Sequence, residues 1–401
     1  MKKVILVLIS LVFFLYILGC SSKEEKEPTA VVVLGGNIAN SEKVNVESNF
    51  IREPVEEAVR SYGYLAIIVP DGNPNIVISG SCDIKEYYKH ADSRKLAEEA
   101  ETRTKMILDN LNDVYADSPE LDTLAGLRLA VQCLNEAPSN SKKTIVVSST
   151  GLDTSGSCDF RNNIINAEPE AVANALAELE AIPDLTGITV TWVNMGAVAD
   201  PQKPLSPKQK NKLVNIWKAI ILKGGGIPDI KDVPSGGANL MTNLPSVSTI
   251  DFESEMPISF DSSCLYIESN RFSEPSILSE EQVRFVADSD VLVNPDEANE
   301  VLNPIVEYML NKTDFNLLLI GTTAGDGLSD YSISLSNKRA ERIKQILVEN
   351  GVSEDRIITI GMGGTDPWHI YNVGTSGELA AQNRKVVLID ADSTIAQELI
   401  K

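Results

Sequence analysis

Two histidines, His90 and His369, are all the imidazole in this chain of 401 residues. Neither stands near a convincing nucleophile, so imidazole-based acid and base chemistry has little to work with and no enzyme is expected. Oxygen donors offer more. Asp153-Thr154-Ser155-Gly156-Ser157 sets a carboxylate and two hydroxyls, those of Asp153, Ser155 and Ser157, at alternate positions. Such hard donors suit magnesium, and the same stretch also reads as a polar surface loop beside Cys158. No cofactor is implied. Four cysteines follow Cys20: Cys82, Cys133, Cys158 and Cys264. Cys82 and Cys158 sit in matching stretches, Ser79-Gly80-Ser81-Cys82-Asp83 and Ser155-Gly156-Ser157-Cys158-Asp159, each after a predicted strand. In an oxidising compartment a Cys82 to Cys158 bridge is the favoured pairing among the connectivities four cysteines allow. Cys133, one helical turn after Leu129, reads as simply buried.

The start of the chain gives an address. Lys2 and Lys3 precede an apolar run from Val4 to Leu18, the layout of a secretory signal over residues 1–19. Ile17-Leu18-Gly19-Cys20 looks like a bacterial lipobox, which implies cleavage before Cys20, a diacylglycerol on its thiol and an added acyl chain such as palmitate. The alternative is an uncleaved signal anchor. Either way the chain lies outside the cytoplasm on a membrane, and a diderm organism would carry it in the outer membrane facing the periplasm. Residues 20–30 read as a solvated tether. Thirty-five basic against 57 acidic residues give a net charge of −22, which disfavours nucleic acid as a partner.

From Val31 to Gly226 short apolar runs alternate with amphipathic stretches, the pattern of an α/β sheet. Strands are predicted at 31–34, 64–69, 75–79, 144–149 and 188–193, with a hairpin turn at Pro70-Asp71-Gly72-Asn73. Helices are predicted at 50–60, 94–111, 124–134 and 168–182, and Ser206-Pro207 opens a last one with Leu213, Ile216, Trp217 and Ile220 inward. Gly224-Gly225-Gly226 closes it, and 227–282 reads as a linker and lead-in. This order resembles a von Willebrand factor A domain, with Ile145 to Asp153 like its fourth strand and loop. The resemblance implies a doubly wound, mostly parallel sheet that is presented to an envelope protein. It also implies Asp-x-Ser-x-Ser after the first strand, where this chain has Gly35-Gly36-Asn37-Ile38-Ala39, and a Thr where it has Leu121. The Asp153 motif follows the fourth strand instead, so the fold is expected without the adhesion metal.

Further on, Gly321-Thr322-Thr323-Ala324, Leu335-Ser336-Asn337-Lys338-Arg339-Ala340 and Asn383-Arg384-Lys385-Val386 follow one another. Their order resembles the OmpA-like peptidoglycan-binding domain, which reads Gly-His-Thr-Asp, Leu-Ser-x-x-Arg-Ala and Asn-Arg-Arg-Val. The resemblance implies a βαβαββ α/β sandwich over 283–392, with 393–401 as a tail. Its first strand and loop would fall around Phe285 and Asp288-Ser289-Asp290, and its helices at 295–311 and 338–349. It also implies that Arg339 grips a carboxylate of diaminopimelate in two parallel hydrogen bonds, and that Asn383 and Arg384 line the same crevice. A plain helix-surface salt bridge is the other reading of Arg339. Thr322 and Ala324 stand where the family has a His and an Asp, so the ligand amine loses its counter-charge. Asp326 either reaches back to replace it or is a solvated loop carboxylate. His369, in Asp366-Pro367-Trp368-His369, reads as a surface or ligand-edge residue.

Anchor and wall motif in one chain imply a non-catalytic lipoprotein that ties a membrane to the peptidoglycan stem peptide. The competing reading is an envelope scaffold whose OmpA-like domain no longer binds the wall.

Overall fold

Strand β1 (Thr29–Gly35) is buried along its whole length, which fixes it at the centre of a sheet covered on both faces. Ala30, Val32 and Leu34 enter one core while Val31 and Val33 enter another, as the two-residue period of a strand demands. With β2 (Tyr64–Val69), β3 (Asn75–Ser81), β4 (Lys142–Ser148), β5 (Ile188–Val193) and β6 (Ile227–Ile230) it forms a sheet in the order β3-β2-β1-β4-β5-β6. Only β3 runs antiparallel to its neighbour. Helices α1 (Asn49–Arg60) and α2 (Ser93–Asp113) cover one face. Helices α3 (Thr123–Asn135), α4 (Pro169–Glu178) and α5 (Pro207–Lys223) cover the other, so the sheet is doubly wound. Ser206 caps α5 reciprocally with Gln209. These features belong to a computed structural model that describes residues 27–83, 92–233, 237, 243–252, 256–261, 272 and 274–401. The signal segment, Cys20, most of the tether, His90 and Cys264 lie outside the described residues.

Several expectations are overturned. The linker expected to begin at 227 starts with β6, a sixth strand parallel to β5. Residues 243–252 then cross the carboxyl ends of the parallel strands instead of leaving the sheet. Ile250 exchanges two amide hydrogen bonds with Gln202, Ser248 is held by Glu120, and Val247 O accepts from Asn40. The proposed bridge is absent: Cys82, Cys133 and Cys158 are free and buried. Cys82 packs in the core under α1 and α2, and Cys158 in the core under α3 to α5, so the sheet itself separates them.

A second sheet has the order β10-β9-β11-β8-β7, with β7 (Ile258–Ser259), β8 (Ser276–Leu278), β9 (Leu317–Gly321), β10 (Ile357–Gly361) and β11 (Val386–Asp390). Its edge therefore draws on residues expected as lead-in, because β8 pairs antiparallel with β11 and buries Ser276 and Leu278. Around Phe285 there is only a bridge to Leu292 in place of the expected first strand. Helices α6 (Pro295–Asn311) and α7 (Asp330–Glu349) pack on one face. Helix α7 starts eight residues before the predicted 338, since Ser329 and Ser332 form a capping box. A short α8 (Glu378–Asn383) precedes β11, and the expected tail is α9 (Thr394–Ile400), whose Ala396 packs with Trp368 on the other face. Among the described residues no helix is long and apolar enough to cross a membrane.

Candidate functional site

A Cβ on Gly321 would stand 1.9 Å from Ser336 O, so the end of β9 and the backbone of α7 meet at a distance only glycine permits. That approach fixes the rotation of α7 and turns Arg339, one turn further along, toward the loops at the ends of the strands. Arg339 is 8% exposed, its Nε donates to Ser289 O at 3.0 Å, and its guanidinium lies over the Phe285 ring at 5.2 Å. Its two terminal nitrogens make no hydrogen bond among the described residues. Burial, despite the opposing pull of Glu280, lowers its pKa, yet a guanidinium stays charged throughout the working range.

Beyond Arg339 opens a cleft of about 980 Å³ lined by Phe285, Asp288, Ala324, Asp326, Tyr331, Thr375 and Arg384, among others. Arg384 donates from Nε and Nη2 to Glu280 Oε2 at 2.8 Å each, and from Nη1 to Thr375 O at 3.1 Å. Two guanidiniums thus share one cleft, one unpaired at its tip and one held by a carboxylate. Such a cleft accepts an anion with planar oxygens, a carboxylate above all. Val286, Val293, Leu328 and Tyr331 leave apolar surface exposed around its mouth.

The residues singled out in the sequence divide into two groups. Arg339, Arg384, Ala324 and Asp326 line this cleft. Asn383 does not, and Thr322 lines only a small adjoining pocket with Arg339 and Arg384. Asn383 is fully buried and exchanges hydrogen bonds with both backbone groups of Ile370, at 2.9 and 2.8 Å, so it braces a loop. Thr322 donates to Asn383 O and Lys385 O and locks the start of β11 to the end of β9. Asp326 neither reaches back toward position 324 nor stands free: Oδ1 lies 3.0 Å from His369 Nε2, and Oδ2 accepts from Asn372 N at 3.0 Å.

His369 is a further correction, since the expected surface residue is fully buried. Its Nδ1 is 3.6 Å from Asp366 Oδ2, and Asp366 Oδ1 is 3.2 Å from Lys385 Nζ. Burial alone would raise the Asp366 carboxyl, but Lys385 and His369 beside it hold it below the usual range. Sequence reading missed this buried group and also Glu280, Asp288 and Tyr331. Only the run Asn383-Arg384-Lys385-Val386, with two basic residues before an apolar strand, hinted that one cation would turn inward.

The candidate cation loop of the first sheet does not converge. Asp153 is fully buried and accepts from Leu124 N at 3.0 Å at the start of α3, Ser155 donates to Leu121 O, and Ser157 is exposed. Burial, with Asp122 nearby, pushes the Asp153 carboxyl up to about 8. Among the described residues, no cluster of three or more His, Cys, Asp or Glu side chains could hold a metal ion.

Residues 284–380 match the OmpA family, so the part of the chain built on the second sheet is OmpA-like. Outer membrane porin F of Pseudomonas fluorescens is 35% identical over 111 residues, 28% of this chain and 33% of that protein. The peptidoglycan-associated lipoprotein of Buchnera aphidicola subsp. Baizongia pistaciae is 27% identical over 88 residues, 22% of this chain and 49% of that protein. Among solved structures, the peptidoglycan-associated lipoprotein from Burkholderia pseudomallei is 27% identical, covers 27% of this chain and 86% of its own, and has a TM-score of 0.24. The chain thus spans between a third and a half of the length of these two curated relatives.

Proposed function

We propose that this protein is a non-catalytic envelope protein whose OmpA-like part binds the peptidoglycan stem peptide at the Arg339 cleft. In this reading Cys20 carries the lipid that fixes the chain to a membrane, the outer one in a diderm organism. The first sheet is a von Willebrand factor A-like domain that meets a protein partner. The observation that carries the proposal is Arg339 itself, anchored through Nε with its two terminal nitrogens left for a ligand. A relative named as a peptidoglycan-associated lipoprotein supports it. Arg339 would take a terminal carboxylate bidentately, Arg384 would add a second positive charge, and the apolar mouth would pack against the peptide stem.

Each charged hydrogen bond contributes roughly 1.5 to 3 kcal/mol, so loss of the pair in Arg339→Ala should weaken binding on the order of a hundredfold or more. Co-sedimentation of the full chain with isolated sacculi, with and without that substitution, is the test. Failure of the unsubstituted chain to sediment would sink the proposal. A second reading, a scaffold that has lost the wall ligand, is favoured by one observation. Ala324 supplies no carboxylate, and both oxygens of Asp326 are engaged elsewhere. Calorimetry with a soluble muropeptide separates the two.

A further inference from the structure

The loop from His369 to Asn372 has two faces. Toward the cleft, His369 and Asn372 hold Asp326, and Asn383 brackets Ile370. Toward the first sheet, Tyr371 N donates to Asn162 O at 2.9 Å, Asn372 Nδ2 to Asn162 Oδ1 at 2.7 Å, and Asn163 Nδ2 to His369 O at 3.1 Å. The Ile370 side chain, 1% exposed, belongs to the core under α3 to α5 and not to either core of its own sheet. Two bonds continue the contact along α8: Glu168 N donates to Gln382 Oε1, and Asn174 Nδ2 to Glu378 Oε2. Between these anchor points the chain passes Thr375, whose carbonyl receives Arg384.

One wall of the cleft is therefore a loop whose far side is seated on the other half of the molecule. We propose that Asn162 and Asn163, on the first sheet's side, are positioning residues for the carboxylate cleft. Through the 369–377 loop they set where Asp326 and Arg384 stand. The proposal rests on the wall-binding reading above, and it adds that the two halves do not act independently. A ligand that needs the ordered loop binds less tightly when the loop must be ordered at its expense, and whatever disturbs the 159–168 region is felt at the cleft. Asn163 sits at φ +59°, a left-handed conformation that asparagine and glycine adopt most readily, so its backbone is shaped for this contact.

The test uses the full chain, with hydrogen exchange of residues 369–377 measured beside calorimetry with a soluble muropeptide that contains diaminopimelate. Asn162→Ala removes the acceptor for Asn372. Asn163→Gly removes the amide but keeps the positive φ. Asn162→Asp keeps the acceptor oxygen and serves as the rescue. The first two substitutions should speed exchange of the loop and weaken muropeptide binding, each by about fivefold or more, whereas Asn162→Asp should leave both within about twofold. Unaltered exchange in Asn162→Ala and Asn163→Gly would overturn the proposal, and so would faster exchange with unaltered affinity. If the unsubstituted protein binds no muropeptide, the wall-binding reading fails. Exchange alone then decides whether the first sheet holds the loop.

Discussion

Asp153→Asn should flatten the pH dependence of the first sheet's stability. Its carboxyl is fully buried, with Oδ2 on Leu124 N and Oδ1 without a hydrogen-bond partner among the described residues, and burial pushes its pKa from 3.8 to about 8. A carboxyl whose pKa is raised by folding contributes its stability below the unfolded value and loses it as pH climbs through the folded one. The sign is thus a loss with rising pH, at about 1.4 kcal/mol per unit across the window between the two values. From pH 5 to pH 7 the wild type should lose roughly 3 kcal/mol from this group, and Asp153→Asn, which keeps the acceptor for Leu124 N, should lose none of it. Trp192 and Trp217 make a convenient probe. Their rings are 4.7 Å apart, and their indole N–H groups donate to Ser149 O and Gly151 O, in the same loop as Asp153. Urea unfolding followed by their fluorescence, in a Trp368→Phe background that silences the other half, measures the difference at each pH. The same gap between variant and wild type at pH 5 and pH 7 would refute the buried, neutral carboxyl. So would a rise in wild-type stability on adding millimolar magnesium at pH 7 that Asp153→Asn does not share, because that requires an ionised, ligating Asp153.

Three further outcomes are expected. Glu280→Gln should cost under about 1 kcal/mol, since both partners of the Arg384 pair are about a quarter exposed. It should also tighten muropeptide binding in calorimetry, because a carboxylate that competes for Arg384 is gone. Gly321→Ala should lower the melting temperature of the OmpA-like part by about 10 °C or more, with a cost of about 3 kcal/mol, because its Cβ would meet Ser336 O at 1.9 Å. Peptides containing Cys82, Cys133 and Cys158 should each take up alkylating label after denaturation without prior reduction, as read by mass spectrometry, since all three are free thiols.

Local signals were readable in the sequence wherever the cause is local. Ser206-Pro207 announces α5 because an N-cap and a first-turn proline act within four residues. The unbroken apolar run Val31 to Leu34 announces a strand buried on both faces. By contrast, Ile227-Pro228-Asp229-Ile230 looks like linker, and its strand state comes from β5 alongside it; proline is tolerated because β6 is an edge. At the cleft, Arg339 and Arg384 could be singled out only through the resemblance that the three motif elements carry. The duties of Asn383 and His369 were not, because they depend on Ile370, Asp326 and Asp366, whose proximity exists only after the chain has folded. The Cys82 and Cys158 stretches match in sequence, but identical local chemistry says nothing of which side of a sheet each one reaches.

The central place of β1 has a mechanical meaning. A pull on residue 27 enters the protein directly at Thr29, and β1 is paired in parallel with β2 on one side and β4 on the other. Force along that strand shears both ladders at once, and their hydrogen bonds must yield together, whereas a terminal strand at a sheet edge would peel bond by bond. If the chain is strung between a membrane and the wall, tension would arrive at its strongest seam.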